Sequence, residues 1–117
     1  MDYSKIPKKK SFKMLQPVRD FMDDQSVDCN RELDNIIRRL EIQGMLEMPY
    51  GEKITGKNLF VIRVMHTKNI RVFYVYGRND LIYGIHAYKK STKKIPDQEL
   101  EQACRVLKLL KQSGKIK

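Results

Sequence analysis

The stretch from residue 71 to residue 94 limits what this chain can fold into more than any other stretch. Two runs rich in β-branched and aromatic residues, 71–76 and 81–88, flank a polar corner at 77–80. β-Branched and aromatic side chains favour strands, whereas Gly, Asn and Asp favour turns. The pattern therefore predicts a β-hairpin, and its second strand leads directly into the lysine-rich segment 89–94.

The rest of the chain predicts three helices and one further clear strand. Residues 58–66 carry apolar side chains on both faces, which indicates a central strand, and a short strand is expected around 52–55. Apolar residues recur every three or four positions over about 27–43 and about 95–113, and Pro17 suits the first turn of a short helix. The expected fold is α+β: a twisted antiparallel sheet of three to four strands with two N-terminal helices and a C-terminal helix.

The first residues differ from the rest of the chain in composition. Five lysines lie within residues 1–14, among few apolar residues. This predicts a solvated basic tail, with an accessory arm that contacts phosphates as the alternative. A single domain is expected over residues 15–117.

The sequence shows no targeting or membrane-spanning segment. No apolar segment follows the N-terminal lysines as in a signal peptide, and no apolar run approaches the ~18 residues of a membrane span. Cys29 and Cys104 fall at apolar helical positions, so we expect buried free thiols in a reducing compartment. These features predict a cytoplasmic protein.

The net charge of +10, from 24 Lys and Arg against 14 Asp and Glu, indicates an anionic partner. Nucleic acid, an acidic protein and a membrane surface all meet that description. A membrane surface is the weakest of the three, because no helix pairs a basic face with a wide aromatic one.

The residues best suited to chemistry lie at the ends of the predicted strands. Arg63 and Arg71 are cations inside apolar strands, and burying such a charge unpaired is costly. Each arginine must therefore meet a carboxylate, open onto a groove or hold an anionic ligand. The last strand ends with an imidazole, a phenol and a run of ammonium groups: His86, Tyr88, Lys89, Lys90, Lys93 and Lys94.

Several kinds of active site do not match the sequence. Cys and His do not cluster as in a zinc site, and no pair of acidic residues lies among the strands as in a two-metal nuclease. A glycine-rich phosphate loop and a Ser-His-acid arrangement are not evident either. We therefore expect no metal and no cofactor. The strand-end residues could instead hold a phosphate and move protons, with the 2′-hydroxyl of RNA as the nucleophile.

Each of these residues also has a structural interpretation. Arg63 and Arg71 could pair with acidic residues, His86 could be a half-buried histidine, and Tyr88 could lie at the rim of the core. The lysine run could be a solvated loop. Their joint occurrence at strand ends favours a site, but the general base stays open among His86, Tyr88 and the lysines.

Four blocks of the sequence are similar to the phage-derived HigB-like branch of the RelE toxin superfamily. The resemblance covers about residues 17–112, and its last block is the most specific. The blocks are Lys53; Leu59-Phe60-x-Ile62-Arg63; Ile70-Arg71-Val72-Phe73-Tyr74; and His86-x-Tyr88-Lys89-Lys90-Ser91-x-Lys93-x-x-Pro96-x-x-Glu99-Leu100-x-x-Ala103.

The resemblance implies a RelE-like α+β fold and an mRNA endonuclease that needs no metal and typically acts at the ribosome to inhibit translation. It also implies a cognate antitoxin, usually a small helix-turn-helix repressor. Attack by the 2′-hydroxyl, as considered above, predicts products with 2′,3′-cyclic phosphate and 5′-hydroxyl ends.

The resemblance assigns roles residue by residue. Arg63 and Arg71 match the strand arginines that would hold the phosphate, and His86 matches the strand-end histidine. The matching lysines would add positive charge or contact RNA: Lys53, Lys89, Lys90, Lys93 and, beside them, Lys94.

This chain departs from the family pattern at four positions. Tyr88 replaces a frequent Phe, Ser91 replaces Thr, Ile95 replaces Thr, and Val61 stands where Glu is frequent. None of these changes removes a candidate catalytic group. Two other functions remain compatible with the sequence, since fold does not determine function: an RNA- or ribosome-binding module without activity, and a module whose basic face binds an acidic protein.

Overall fold

The computed structural model describes residues 6–117, which form three helices and one five-stranded sheet. The α+β class predicted from the sequence is confirmed. In chain order the elements are β1 (Ser11–Met14), α1 (Gln16–Asp23), α2 (Val27–Gln43), β2 (Gly51–Lys53), β3 (Phe60–Val64), β4 (Ile70–Tyr76), β5 (Leu81–Lys89) and α3 (Asp97–Gln112).

The sheet is mixed rather than purely antiparallel. Its strand order is β1-β5-β4-β3-β2, in which β2, β3, β4 and β5 are antiparallel neighbours. Strand β1 pairs with β5 in the parallel direction. The sequence predicted three to four antiparallel strands, and the additional strand comes from a segment that had been assigned to the tail.

Strand β1 belongs to the folded structure, although the sequence placed residues 1–14 in a basic tail. Of that tail, residues 1–5 lie outside the described part of the chain. The backbone N–H of Phe12 donates to the Glu41 carboxylate of α2 at 2.8 Å. The Phe12 ring lies so close to Gly84 of β5 that a Cβ on Gly84 would be 2.8 Å from it. These contacts join residues far apart in the chain, so local composition could not predict them.

The helices cover the two faces of the sheet separately. On one face, α1 and α2 pack against the strands through a core that includes Leu33, Leu40 and Ile62. On the other face, hereafter the α3 face, α3 packs against residues such as Phe73 and Ile85. The two cysteines are free, as the sequence predicted, with Cys29 buried and Cys104 partly buried.

A β-bulge in β5 decides which side chains reach the α3 face. The register between β4 and β5 shifts between Phe73 and Tyr74, so Phe73 lies opposite His86 while Tyr74 lies opposite Gly84. Ile85 is the extra residue, and an extra residue reverses the alternation of side chains beyond it. As a result, Ile85 and Tyr88 both pack in the core of the α3 face, three residues apart.

Candidate functional site

A cross-strand row of three side chains lies at one end of the sheet on the α3 face. Arg63 of β3 is the direct partner of Arg71 in β4, and Arg71 is the direct partner of Tyr88 in β5. If the two strands pair as an antiparallel hairpin, their spacing in the sequence predicts that the arginines lie a residue or two from directly opposite one another. In the structure they are opposite, which is the closest arrangement an antiparallel ladder allows.

Arg71 is a buried cation. Only 5% of the residue is exposed, and its Nη1 donates to the Ile70 carbonyl oxygen at 3.1 Å. Within residues 6–117, no carboxylate oxygen lies within 4 Å of Arg63 or Arg71, so the ion-pair interpretation does not describe them. Burial lowers the pKa of Arg71, and the nearby charge of Arg63 lowers it further. Both effects oppose the charged form and would be relieved by an anion.

Tyr88 carries a buried hydroxyl that has no hydrogen-bond partner within the described residues. The residue is 5% exposed. Burial raises the pKa of Tyr88, and the opposite effect of the Arg71 charge does not reverse this. The hydroxyl is therefore protonated near neutral pH and can donate to a ligand. Buried hydroxyls are normally paired, so an unpaired one beside a cation marks a candidate binding site.

A cleft of about 300 Å³ lies between this end of the sheet and the start of α3. We call it the apolar-walled cleft, because Ile54, Val61, Ile95 and Leu100 form one part of its lining. The polar part of the lining contains two acidic residues, one tyrosine and four cations: Glu52, Asp97, Tyr88, Arg71, Lys90, Lys93 and Lys94.

A second pocket, of about 290 Å³, lies beside the first under the loop that follows β5. We call it the loop pocket. All six residues that line it are polar or charged: Asn69, Arg71, Lys90, Ser91, Thr92 and Lys93. Two hydrogen bonds hold the loop, from the Lys90 N–H to the Asn69 carbonyl at 2.6 Å and from Thr92 Oγ1 to the Lys94 carbonyl at 2.7 Å. Of the lysine run, Lys90 and Lys93 line this pocket, while Lys93 and Lys94 are also exposed to solvent.

Not every residue proposed from the sequence lies in these two pockets. Lys53 and Lys89 lie on the opposite face of the sheet, because their cross-strand partners Phe60 and Ile70 pack in the core under α1 and α2. The Nζ of Lys53 is 5.9 Å from the centre of the Phe60 ring. Arg63 adjoins Arg71 but lines neither pocket.

His86 packs beside the cleft rather than in its lining. Its ring stacks with those of Phe73 and Tyr88, at centroid distances of 6.0 and 6.5 Å. Its Nε2 lies 3.3 Å from Oε2 of Glu99 in α3. The structure therefore brings Arg71, Tyr88 and the loop lysines together, with His86 behind Tyr88.

Some residues of the site had no signal in the sequence. Glu52 and Asp97 line the apolar-walled cleft, and Asn69 lines the loop pocket.

Glu32 of α2 accepts hydrogen bonds from the backbone N–H groups of residues 65–67, the turn between the two arginine-bearing strands, at 2.9 to 3.1 Å. Burial raises the pKa of Glu32, but these hydrogen bonds lower it more, and the net direction is down.

A larger groove, of about 530 Å³, lies on the face covered by α1 and α2. Four of its lining residues are cations, but its buried carboxylate, that of Glu41, already has partners within the fold. Glu41 accepts from the Phe12 N–H at 2.8 Å and lies 3.2 Å from the Lys8 ammonium. These contacts attach β1 to α2, so this groove is explained by the packing of the fold.

Two features are absent from residues 6–117. No helix there is both long enough and apolar enough to cross a membrane. No three His, Cys, Asp or Glu side chains of that range lie together where they could hold a metal ion.

The fold and the site define a small basic α+β domain with a cationic cleft on one face of its sheet. Residues 20–108 match the family model described as "Phage derived protein Gp49-like (DUF891)". Since this match spans more than half of the chain, the protein belongs to the phage-derived Gp49-like family, a membership that is compatible with a role as the toxin of a toxin–antitoxin system. No curated protein matches the chain.

Proposed function

We propose that the protein is the toxin of a type II toxin–antitoxin system, of the HigB-like kind, and that it cleaves mRNA in the cytoplasm, at the ribosome, without a metal. The observation that carries the proposal is Arg71, a buried guanidinium with no carboxylate within 4 Å in the described chain, beside the unpartnered Tyr88 hydroxyl. A buried charge without a partner lowers stability. Its presence is understandable if the pair holds an anionic oxygen.

The reaction follows from what these side chains can do to an RNA phosphodiester. A base removes the proton of the 2′-hydroxyl, the 2′-oxygen attacks phosphorus, and the bond from phosphorus to the 5′-oxygen breaks. The leaving 5′-oxygen takes up a proton, and the products carry a 2′,3′-cyclic phosphate and a 5′-hydroxyl. Arg71, Lys90 and Lys93 would neutralise the charge that grows on the phosphate oxygens.

Tyr88 is better suited to donate a proton or hydrogen bond than to act as the base. Burial raises the pKa of its hydroxyl, which keeps the proton in place near neutral pH. His86 pairs with Glu99 at 3.3 Å and does not line the cleft, so it could exchange a proton with RNA only if the cleft rearranges. The loop lysines and His86 therefore remain the candidate bases, as they were from the sequence.

Family membership supports a protein partner. Toxins of this kind are kept inactive by a cognate antitoxin, and we propose a small helix-turn-helix protein in that role. An open reading frame for such a protein next to this one would support the pairing, and co-purification of the two chains tests it directly.

The test of the activity is to map RNA ends. The purified protein is incubated with naked RNA, with and without EDTA, and with mRNA on intact translating ribosomes. We expect cleavage in at least one setting, persistence in EDTA where naked RNA is cut, and cyclic-phosphate and 5′-hydroxyl ends. Because contaminating ribonucleases leave the same ends, an Arg71→Met protein prepared in parallel is the control. Products with 3′-hydroxyl and 5′-phosphate ends would exclude attack by the 2′-hydroxyl, and binding without cleavage would favour a non-catalytic RNA-binding module.

A further inference from the structure

The apolar-walled cleft and the loop pocket share three cationic residues. Arg71, Lys90 and Lys93 line both, so they form the boundary between two spaces of about 300 and 290 Å³. The two spaces differ in chemistry, since one has an aliphatic wall and the other is lined by amide, hydroxyl and ammonium groups. A ligand that fills both spaces must carry an anionic group at its centre, with a chemically different part on each side of that group.

Two successive nucleotides meet that description. Their linking phosphate is an anion, and a nucleoside extends from it on each side. Building on the proposed function, we infer that the site binds a dinucleotide step of RNA with the scissile phosphate on Arg71, Lys90 and Lys93, and that the apolar-walled cleft selects a guanosine through Glu52.

The wall of the cleft suits a nucleobase. Ile54, Val61, Ile95 and Leu100 present aliphatic surface, against which the flat face of an unstacked base can pack. A volume of about 300 Å³ lies at the lower end of the range for small-molecule sites, which fits one nucleoside and not two. The polar loop pocket would take the ribose and phosphate of the neighbouring nucleotide.

Glu52 reaches the cleft from a strand two away from that of Arg71, and its charge acts on Arg71. It is the cross-strand partner of Val61 in the aliphatic wall. It lies two residues along the sheet and two strands across from Arg71. With strands about 4.8 Å apart and residues rising about 3.3 Å, this separates the two backbones by about 12 Å. A general base must lie within hydrogen-bond distance, about 3 Å, of the hydroxyl that it deprotonates. A side chain that recognises the nucleobase must instead lie on the far side of the ribose from the phosphate.

The carboxylate of Glu52 is available for this contact. Across residues 6–117, no ammonium or guanidinium nitrogen lies within 4 Å of it, although cations line the same cleft. An ionised carboxylate only accepts hydrogen bonds. Guanine offers two adjacent donors on one edge, N1–H and the N2 amino group, while the other bases offer one donor beside an acceptor. Glu52 therefore favours guanine over the other three bases.

Asp97 supplies the matched control. It is a second carboxylate in the lining of the cleft, but the charge of Glu52, and not that of Asp97, contributes to the pKa shifts of Arg71 and Tyr88. Glu52→Gln and Asp97→Asn each remove one negative charge from the cleft with little change of shape. Because the charge of Glu52 acts on Arg71 and that of Asp97 does not, a purely electrostatic effect should appear in Glu52→Gln as an equal change at every step. An effect on base choice should instead change the preference between steps, and Asp97→Asn should leave that preference as it is.

The experiment maps cleavage by the wild type and both variants in an RNA that contains every dinucleotide step, naked and on ribosomes. We expect the wild type to prefer steps with guanosine on one fixed side by about tenfold or more. Glu52→Gln should lose that preference and still cut the other steps, and Asp97→Asn should keep it. A wild type that cuts all steps alike, or a Glu52→Gln variant that is slowed equally at every step and retains the preference, would overturn the inference.

A binding measurement tests guanosine selection independently of the proposed cleavage activity. The affinities of 2′-O-methyl dinucleotides with and without guanosine are measured for the same three proteins, because these ligands cannot be cleaved. A guanosine preference that disappears in Glu52→Gln supports the inference even if the wild type proves inactive. Equal affinities for all dinucleotides overturn it even if the wild type cleaves RNA. Thermal midpoints confirm that each variant is folded.

Discussion

Arg63 and Arg71 are direct partners across the β3–β4 ladder, and neither has a carboxylate within 4 Å in the described chain. Two like charges on neighbouring strands repel each other. The sheet holds them together because Val61, Phe73 and Val75 around them are buried. The free protein is therefore less stable for having this pair, and an anion bound there would remove the repulsion.

Replacing Arg71 should lower the activity of the protein without lowering its stability. Arg71→Met keeps most of the buried volume and removes the charge, so we expect an unchanged or higher thermal midpoint. Removing one cation that stabilises the transition state typically costs about 3 kcal/mol, or about a hundredfold in rate, so growth arrest on induced expression should be lost. Arg63→Met should lose less activity, because Arg63 lines neither pocket.

The control for Arg71 is Arg78→Met. Arg78 is an exposed arginine in the turn at the opposite end of the hairpin. The Arg78→Met variant should keep both the toxicity and the stability of the wild type. An Arg71→Met protein that stays fully toxic, or that loses toxicity only because it unfolds, would remove Arg71 from the proposed site.

Tyr88→Phe should stabilise the protein and slow it. The variant removes a buried hydroxyl without a partner, a group whose burial costs about 1 to 3 kcal/mol, so unfolding in urea should require more denaturant. We expect cleavage to fall about tenfold, as for the loss of one hydrogen bond, because the cations remain and the pattern that the sequence resembles often has Phe here. A variant that is less stable than the wild type would show that the hydroxyl is paired in solution.

The same tyrosine should make stability fall at high pH. Burial raises the pKa of Tyr88 in the folded state above its unfolded value of about 10. Between these two pKa values the unfolded chain loses a proton that the folded protein keeps, so the free energy of unfolding falls as pH rises. The advantage of Tyr88→Phe over the wild type should therefore grow above pH 10, as measured by urea unfolding at several pH values. An advantage that stays constant to pH 11 would contradict the direction of the shift.

Salt dependence should show which face of the sheet binds RNA. Each lysine that contacts a phosphate of single-stranded RNA contributes about 0.7 to the slope of log affinity against log salt. Lys90→Gln with Lys93→Gln should therefore flatten the slope measured by fluorescence anisotropy. Lys53→Gln with Lys89→Gln removes the same charge from the opposite face and should change it much less. If the two double variants behave alike, RNA does not distinguish the faces of the sheet.

Glu41 should attach strand β1 to the rest of the fold. Its carboxylate accepts from the Phe12 N–H at 2.8 Å and is buried. Glu41→Ala leaves that N–H without a partner, which costs about 1 to 3 kcal/mol, and amide exchange at Phe12 should become faster. Glu101→Ala, an exposed acidic residue of α3, is the control and should change neither quantity. Unchanged exchange at Phe12 in Glu41→Ala would show that other contacts hold β1.

The sequence by itself determined the elements that local chemistry can specify. Apolar residues at helical spacing predicted α2 and α3. In the structure, Ser26 caps α2 by accepting from the Cys29 N–H, and Gly44 ends it in the left-handed conformation. The two strand runs and the corner between them predicted the β4–β5 hairpin. Strand pairing then required Arg63 and Arg71 to meet, as the spacing indicated.

Only the tertiary structure decided which candidate residues form a site. The bulge at Ile85 decides which face each later side chain of β5 takes, so Tyr88 lies on the α3 face and Lys89 on the other. Glu52 enters the cleft through the pairing of β2 with β3, and β1 joins the sheet through β5 and Glu41. Local propensity acts within one element, whereas strand register and the choice of face depend on contacts between residues far apart in the chain.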